Sequence, residues 1–502
     1  MAAAVLLVTA PGSAQAQPAD AATRADLFVP LVAGDEPIVV TQHRIQTRNG
    51  PLVYEARAGR LAIRSKGTGE VRGYIFFAAY VVHAKGHPRP ITFAWNGGPL
   101  VASAILHMEG IGPRRRSKVG MVDNPETLLG TSDLVFMDAV ETGFSRPAQP
   151  EFASDFMNLR GDVAATAEFI RAYRARFRAV DQPLFILGES YGVFRAAALA
   201  DQLTERRQPL AGAILVSGDI PNIPQSPAFY DAMHVPARTA AAFHFKRLGP
   251  DLMRDRDATM RQAVDWARTV YLPALERVDQ LRPDERDKIA EALARYIGIR
   301  AELVDRKSLV VHADQYLRQF LSEDGTQPLT EEDMRLRVGA EGDDLGDGVL
   351  VDRYIRGELG YATDLSYAGL EDAYVPFPAP KLLTIGDQWQ YNQPGMTPEV
   401  MAELRRTGEV APLARANPPW IVNALRRDPK LQVYVATGRY DPLNMCEGDA
   451  IAAATLPADL ASRVATKCYE SGHIIYRDDG ARTPFLGDLS AFIRRVTGTA
   501  LD

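Results

Sequence analysis

Residues 184–203 read LFILGESYGVFRAAALADQL, an apolar run, a glycine-flanked serine and an alanine-rich run in direct succession. The apolar run predicts a buried strand, and the alanine-rich run predicts a helix. Ser190 lies between them in a G-x-S-x-G pattern. A serine on a sharp turn from strand to helix exposes its hydroxyl, and the amides of the helix N-terminus face a developing oxyanion. This stretch therefore predicts a layered α/β fold with Ser190 as its nucleophile.

Similar alternation extends over much of the chain. Further strand-like apolar runs occupy residues 74–82, 91–95, 134–137 and 213–217. Between two of them, Val163, Phe169, Ile170, Tyr173 and Phe177 are spaced as on one face of a helix. Strands that alternate with helices predict a mostly parallel central sheet flanked by helices on both faces.

Three zones follow one another along the chain. Residues 27–224 and 376–502 show the α/β alternation, and the last zone contains strand-like runs at 431–436 and 464–468 and a final helix near 489–496. Residues 225–375 are instead charged and periodic at 3.6 residues, with few strand-like runs. We predict one α/β core built from the outer zones, with an inserted helical cap over 225–375.

The first 16 residues have the composition of a signal peptide. A short apolar run ends in Ala14-Gln15-Ala16, which fits the A-x-A rule for cleavage after Ala16. The run is too short to span a membrane, which takes about 20 apolar residues. We expect export to the periplasm or the medium. The alternative is an alanine-rich leader on a cytoplasmic protein.

Composition narrows the class of protein. Hydrophobic residues are 46% and charged residues 24% of the 502, which argues against a fibrous, disordered or multi-span membrane protein. A formal net charge of −6 gives no basic field for nucleic acid or an anionic membrane. Two cysteines exclude a disulfide-built scaffold and a cysteine-rich zinc site. No H-E-x-x-H or similar pair occurs, so we predict neither a metal nor a cofactor.

A nucleophilic serine needs a general base, and the base needs an orienting carboxylate. In α/β-hydrolases the order along the chain is Ser, Asp, His. Asp441 directly follows the strand-like run LQVYVATGRY, and His473 follows the last one, in YESGH. We therefore predict His473 as the base and Asp441 as its partner. The alternative for His473 alone is a solvated loop residue.

A third candidate segment is Trp95-Asn96-Gly97-Gly98-Pro99, which follows a strand-like run. Two consecutive glycines at the end of a strand let backbone N–H groups turn toward a ligand, as an oxyanion hole requires. The alternative is an ordinary Asn-Gly turn.

Together these stretches resemble the serine carboxypeptidase family, more closely its bacterial secreted branch, over roughly residues 70–500. The matching segments are NGGP at 96–99, GIGP at 110–113, DLVFMDAVETGFS at 133–145, GESYG at 188–192, GRYD at 438–441 and GH at 472–473. The resemblance implies a triad of Ser190, Asp441 and His473. It also implies an oxyanion hole made by the N–H groups of Gly98 and Tyr191.

The resemblance also implies how the substrate is bound. In the family, Asn and Glu at the positions of Asn96 and Glu189 bind the terminal carboxylate of a peptide. Two close carboxylates share a proton, so an acidic pH optimum is expected. The alternative for Glu189 is a solvated turn residue. A second binding Glu of the eukaryotic enzymes falls at Gly110, and their Trp falls one residue before Trp95, which we keep as a substrate-binding candidate.

Other positions depart from the family pattern. Leu100 and Glu141 stand where the family has Gly, and Ile474 stands where it has Met. We expect the larger side chains to reshape the pocket and Glu141 to place a charge near the substrate. The basic run from Arg114 to Lys118 attracts an anionic substrate or forms a solvated loop, and the second interpretation is favoured.

The two cysteines lie between the predicted Asp and the predicted base in the sequence. Cys446 lies five residues after Asp441, and Cys468 lies five residues before His473. A disulfide between them would tie the two segments together. Two separate buried thiols are the alternative.

The sequence therefore predicts an exported serine hydrolase that acts through an acyl-enzyme on Ser190 and cleaves C-terminal residues from peptides. The alternative is an esterase, amidase or acyltransferase that uses the same triad on a small molecule. A non-enzymatic binding protein on a hydrolase scaffold is disfavoured, because the triad residues and the oxyanion glycines all occur. The expected partner is a peptide or small acyl substrate, with no nucleic acid and no membrane span.

Overall fold

The structure is a computed structural model that describes residues 17–18, 36–83, 88–219, 225–322, 327–339, 348–370, 389 and 419–498. The predicted signal peptide, residues 1–16, lies outside these ranges. The strands are β1 (Gln17–Pro18), β2 (Val39–Thr47), β3 (Gly50–Arg64), β4 (Val71–Val81), β5 (Ile91–Trp95), β6 (Arg114–Ser117), β7 (Gly120–Asp123), β8 (Asp133–Met137), β9 (Arg146–Pro147), β10 (Leu184–Glu189), β11 (Gly212–Val216), β12 (Gln432–Gly438) and β13 (Val464–Tyr469).

Helices lie between and after these strands. The α-helices are α1 (Leu159–Arg176), α2 (Gly192–Glu205), α3 (Pro227–Met233), α4 (Val235–His244), α5 (Arg256–Trp266), α6 (Leu272–Glu276), α7 (Pro283–Ile297), α8 (Ala313–Gln319), α9 (Gly348–Asp352), α10 (Trp420–Arg427), α11 (Cys446–Ala454), α12 (Ala458–Ala461) and α13 (Asp479–Thr497). Shorter 3₁₀ or π segments are Leu106–Ile111, Leu128–Gly130, Pro150–Asp155, Ala267–Tyr271, Val278–Gln280, Ala301–Leu303, Arg353–Glu358 and Ile475–Arg477.

One large mixed sheet runs through the molecule in the order β1-β2-β3-β4-β8-β5-β10-β11-β12-β13, and β9 pairs with β4. The strands from β8 to β13 in this order are parallel to one another. The strands from β1 to β4 pair antiparallel, and β4 meets β8 antiparallel. The predicted α/β fold is confirmed, with an antiparallel extension at one edge.

Strands β2 and β3 were missed from the sequence because charged residues interrupt their apolar pattern. Glu55 and Arg57 lie in the middle of β3, yet both side chains are buried and form an ion pair at 2.6 Å. A buried charge is tolerated when a partner and hydrogen bonds accompany it. Because Glu55 and Arg57 are buried as a pair, β3 contains charged residues that its sequence pattern would place in a loop.

Both faces of the parallel strands are covered. Along β10, Ile186 packs in the apolar cluster that contains α1, α2 and α10, whereas Phe185 and Leu187 pack in the cluster that contains α13. Helix α13 begins at Asp479, about ten residues before the predicted start, because Asp478 caps it by accepting from the N–H groups of Gly480 and Ala481.

The described residues between β11 and α10 form helices α3 to α9 and add no strand to the central sheet. Helix α4 packs against α5 and α7. The boundaries of the predicted cap, 225 and 375, stay a prediction. Among the described residues, no helix combines the length and the apolar composition that a membrane span needs.

Candidate active site

The four strands β10 to β13 lie side by side and parallel, so their carboxyl ends share one edge of the sheet. Ser190 directly follows β10, Asp441 follows β12 and His473 follows β13. Open α/β sheets place functional groups at this edge. The topology therefore brings the three predicted triad residues to one end of the molecule.

Ser190 occupies a strained turn between β10 and α2. Its φ is 57°, in the left-handed region that non-glycine residues seldom adopt. Its N–H donates to the carbonyl of Val216 at 2.9 Å, which ties the turn to β11. This conformation is the one expected of a nucleophile on a strand-to-helix turn.

The glycines around Ser190 are required by close packing. A Cβ on Gly188 would lie 2.0 Å from the carbonyl oxygen of Gly192, and a Cβ on Gly192 would lie 2.8 Å from Cδ1 of Trp95. Neither distance is compatible with a side chain. The backbone of the turn and the end of β5 therefore approach more closely than any residue but glycine allows.

Trp95 is buried beside the turn that carries Ser190. Its side chain is 1% exposed, and its Nε1–H donates to the carbonyl of Gly192 at 2.9 Å. The indole therefore holds the turn through this hydrogen bond, and its only polar group is not available to a substrate. Trp95 is the last residue of β5 and packs in the apolar core, so a role in substrate binding stays a prediction.

Asp441 and His473 form a hydrogen-bonded pair. Nδ1 of His473 lies 2.7 Å from Oδ2 of Asp441, whose side chain is completely buried. The Nδ2 group of Asn444 donates to the same oxygen at 2.7 Å, and the N–H of Leu443 donates to Oδ1 at 2.8 Å. With Nδ1 held by a carboxylate, the Nε2 atom of His473 is left to act as a general base.

The charge of Asp441 changes the proton affinity of the imidazole. Burial alone would lower the pKa of His473, but the carboxylate of Asp441 and its hydrogen bond outweigh burial and raise the pKa to about 9. The negative charges of Glu189 and Glu332 act in the same direction. The carboxylate of Asp441 therefore stabilises the protonated imidazole that forms when His473 accepts a proton.

The predicted oxyanion segment lies against the turn that carries Ser190. A Cβ on Gly97 would lie 2.5 Å from the backbone nitrogen of Tyr191, and Gly98 has a φ of 104°. The side-chain oxygen of Asn96 accepts from the N–H of Leu106 at 2.9 Å, which anchors the segment. The structure thus places the backbone of Gly97, which precedes Gly98, against the backbone of Tyr191, and the oxyanion role of Gly98 and Tyr191 stays a prediction.

Glu189 is buried beside the predicted nucleophile. Its side chain is 2% exposed, and the hydroxyl of Tyr476 donates to its Oε2 at 2.8 Å. Burial raises the pKa of Glu189 to about 7, although the bond from Tyr476 and the charge of His473 act in the opposite direction. Glu189 is therefore a carboxyl group that changes its charge near neutral pH.

Tyr476 was not predicted from the sequence. A Cβ on Gly110 would lie 3.3 Å from the ring of Tyr476, so this ring fills the space beside the position where the eukaryotic relatives carry a second Glu. The neighbouring Glu109 pairs instead with Arg477 at 2.7 Å. Tyr476 lies three residues after His473, and that spacing was the only signal that could have identified it.

The structure does not join Glu141 to the triad. Glu141 has a φ of 73°, and burial raises its pKa while the charge of Arg146 lowers it. Its N–H donates to the carbonyl of Ser145 at 3.3 Å. In the basic run, Arg114 pairs with Asp123 at 2.6 Å within the hairpin of β6 and β7.

Apolar side chains stand next to the turn of Ser190. Leu100, Met157 and Trp389 form a buried cluster against which Tyr191 packs. The ring centroids of Tyr191 and Trp389 are 5.7 Å apart, with the rings nearly perpendicular. Leu100 therefore contributes to an apolar wall in place of the open space that Gly would leave.

Cys446 and Cys468 are joined in a disulfide. Cys446 is the first residue of α11, which follows the loop of Asp441, and Cys468 lies in β13 before the loop of His473. The disulfide links the two segments that carry the hydrogen-bonded pair of Asp441 and His473.

Comparison with solved structures identifies the class of fold. Kex1(Δ)p, a prohormone-processing carboxypeptidase from Saccharomyces cerevisiae, matches with a TM-score of 0.53 and 12% identity, over 89% of this chain and 92% of that chain. A haloalkane dehalogenase variant from Bradyrhizobium elkanii matches with a TM-score of 0.36 and 12% identity, over 89% and 99% of the two chains. At 12% identity the likeness to the first of these structures concerns the fold alone, and the chain has the α/β-hydrolase fold.

The family comparison narrows the class further. Residues 58–234 match the family model described as serine carboxypeptidase, a range that includes Asn96 and Ser190 and ends before Asp441 and His473. No curated protein matches the sequence. The match confirms the resemblance to serine carboxypeptidases predicted from the sequence, and the protein is a serine hydrolase.

Proposed function

We propose that this protein is an exported serine carboxypeptidase that releases C-terminal residues from peptides. The proposal rests above all on one observation. A buried Asp441 holds Nδ1 of His473 at 2.7 Å, at the same sheet edge as the strained turn of Ser190. A nucleophile, a base and its orienting carboxylate are the groups that acyl transfer requires.

In the proposed reaction, Oγ of Ser190 attacks the carbonyl carbon of the last peptide bond and gives its proton to Nε2 of His473. The N–H groups of Gly98 and Tyr191 stabilise the oxyanion. The C–N bond then breaks, and His473 returns the proton to the leaving amine, which leaves an acyl ester on Ser190. Water attacks this ester with His473 again as base, and the peptide acid leaves as Ser190 recovers its proton.

Glu189 supports a preference for substrates with a free carboxylate. A neutral carboxyl group donates a hydrogen bond to a carboxylate, whereas an ionised one repels it. Because the pKa of Glu189 is about 7, the neutral form is available up to neutral pH. We therefore expect kcat/KM for free-acid substrates to stay high up to about neutral pH, above the acidic optimum that the sequence predicts.

The esterase, amidase or acyltransferase alternative is favoured by one observation. The ring of Tyr476 fills the space beside Gly110, so Glu189 has a hydroxyl partner and not a second carboxyl partner there. A site with one carboxyl group holds a terminal carboxylate less firmly than a site with two. The same triad then acts on an ester or amide without regard to a free acid.

A substrate series distinguishes the two functions. We would measure kcat/KM for an N-blocked apolar dipeptide as the free acid, the C-terminal amide and the methyl ester, at pH 6. The carboxypeptidase predicts a preference for the free acid over the amide of at least about tenfold, which corresponds to one charge-assisted hydrogen bond. Equal or greater turnover of the amide and ester would favour the alternative.

Export is proposed from the A-x-A sequence at Ala14 to Ala16. A disulfide between Cys446 and Cys468 suits an oxidising compartment. N-terminal sequencing of protein recovered from the periplasm of an expressing bacterium tests the proposal. A mature chain that begins at Gln17 supports it, and a full-length chain found only in the cytoplasm contradicts it.

A further inference from the structure

A segment from the helical zone contacts the two loops that carry Asp441 and His473. This segment, residues 329–338, lies between α8 and α9, and we call it the strap. Leu329 and Arg337 form an antiparallel bridge, and the N–H of Thr330 donates to the carbonyl of Leu336 at 3.0 Å. These internal bonds give the strap a defined shape of its own.

One side of the strap contacts the loop of His473. The N–H of His473 donates to the carbonyl of Glu332 at 2.6 Å. A Cβ on Gly472 would lie 2.3 Å from that same oxygen and 2.5 Å from Cβ of Asp333. Glycine before His473 is therefore required because the strap passes directly over it.

The strap also contacts the loop of Asp441. The N–H of Met334 donates to the carbonyl of Tyr440 at 2.9 Å, and Tyr440 directly precedes Asp441. The N–H of Tyr440 in turn donates to the carbonyl of Ser471 at 2.9 Å. The strap, the loop of Asp441 and the loop of His473 are distant in sequence, and backbone hydrogen bonds thus connect all three.

Arg335 fastens the strap to both loops. Its guanidinium group donates to both oxygens of Asp333 at 3.0 and 2.5 Å and to Oδ2 of Asp478 at 2.9 Å. It also donates to the carbonyl of Glu470 at 3.3 Å, and it lies 4.5 Å from the ring centroid of Tyr440. A planar guanidinium suits such a set of acceptors and an aromatic face, and lysine reproduces only its charge.

We propose that the strap is a positioning element for the catalytic base and that Arg335 is its positioning residue. The strap fixes the backbone on both sides of the bond between His473 and Asp441, and it thereby holds the imidazole of His473 in the orientation that this bond sets. Geometric errors of about 1 Å in such a site reduce rates up to about 100-fold. The inference rests on the proposed triad but not on the identity of the substrate.

The test compares two arginines of the helical zone. Arg335→Ala removes the anchor of the strap. Arg286→Ala is the matched control, because none of the hydrogen-bond partners of Arg286 lies in the loops of Asp441 and His473. These partners are the backbone carbonyls of Leu281, Arg306, Lys307 and Val278. For each purified full-length variant we would measure the thermal midpoint, kcat and KM for an ester substrate, and the labelling rate with a fluorophosphonate.

We expect Arg335→Ala to lower both kcat and the labelling rate about 10- to 100-fold with KM changed less than twofold. Arg335→Lys is expected to restore part of the rate, since it keeps the charge beside Asp333 and Asp478. Arg286→Ala is expected to lower the thermal midpoint without this loss of rate. In the wild type and in Arg335→Lys, the low-field proton resonance of the bond between His473 and Asp441 should persist.

A folded Arg335→Ala protein with wild-type kcat and labelling rate would overturn the proposal. So would an equal loss of rate in Arg286→Ala at the same loss of thermal stability. If Arg335→Ala does not fold, Arg335→Lys decides, because an unchanged rate with an unchanged low-field resonance contradicts a positioning role for its guanidinium. Failure of the triad itself is distinguished separately, since Ser190→Ala would then still react with the fluorophosphonate.

Discussion

The turn that carries Ser190 and the pair formed by Asp441 and His473 are built in different ways. The turn is fixed by local backbone, with glycines at 188 and 192 and a positive φ at Ser190. The pair is fixed by contacts between segments that are distant in the chain, including the disulfide and the strap of residues 329–338. The turn therefore has no room for a Cβ at Gly188 or Gly192. The bond between Asp441 and His473 depends instead on separate contacts, each of which can be removed by its own substitution.

The largest effect is expected from Asp441→Asn. An amide at this position donates to Nδ1 of His473, which leaves the imidazole proton on Nε2, so Nε2 no longer accepts the proton of Ser190. We predict a loss of kcat of about 10⁴-fold, by analogy with the same change in a serine protease triad. Steady-state kinetics with an ester substrate would measure it. Asp488→Asn, which affects a bond to Tyr469, is the control, and a loss below about tenfold for Asp441→Asn contradicts the assignment.

Gly188→Ala tests the local construction of the turn. Its new Cβ would lie 2.0 Å from the carbonyl of Gly192, so the backbone must shift. We predict a loss of fluorophosphonate labelling of at least about 100-fold, since displacements near 1 Å reduce rates to that extent. Gly487→Ala, where a Cβ meets no atom within 4 Å, should label as the wild type does. Normal labelling of Gly188→Ala would refute the packing argument.

Tyr476→Phe separates substrate binding from the triad. The hydroxyl of Tyr476 stabilises the ionised form of Glu189, so its removal raises the pKa of Glu189 above about 7. The charges of His473, Arg477 and Glu109, which also face Glu189, are unchanged by this substitution. The neutral form then persists to higher pH, and the upper limb of kcat/KM for free-acid peptides moves up.

The same substitution should raise KM for the free acid about three- to tenfold at pH 6, because a hydrogen bond that orients Glu189 is lost. The pH profile with an ester substrate should stay as in the wild type. Tyr434→Phe, which removes a bond to Tyr469 away from Ser190, is the matched control. An upper limb that stays in place, or that moves down, contradicts the proposed role of Glu189.

The smallest effect on rate is expected from the double variant Cys446→Ser and Cys468→Ser. The disulfide closes a loop with a sequence separation of 22 residues, which corresponds to about 3 kcal/mol of stability in the chain-entropy model. We predict a lower free energy of unfolding in urea, with kcat reduced less than about fivefold, because the strap still holds the pair. An unchanged urea midpoint would show that the bridge does not stabilise these loops.

The sequence predicted the turn and the parallel strands because their signals are local. The run at 184–192 contains the strand, the glycines and the serine within nine residues. Asp441 and His473 could be proposed as a pair because each lies in the loop after a strand-like run, and the structure joins them by a hydrogen bond. The sequence could not predict Tyr476 or Arg335, because each acts through a contact with a residue that is distant in the chain. The contact of Trp95 with Gly192, 97 residues away, could not be predicted for the same reason. Asn444 lies only three residues from its partner Asp441, but no motif in the sequence marked it.

The most direct test of the account is covalent labelling of Ser190. The wild type and Ser190→Ala would be treated with a fluorophosphonate, digested and analysed by mass spectrometry, with circular dichroism to verify folding. The account predicts one labelled peptide containing Ser190 in the wild type and no label or hydrolysis in folded Ser190→Ala. Labelling at another residue, or hydrolysis retained by Ser190→Ala, would contradict the central claim that Ser190 is the nucleophile.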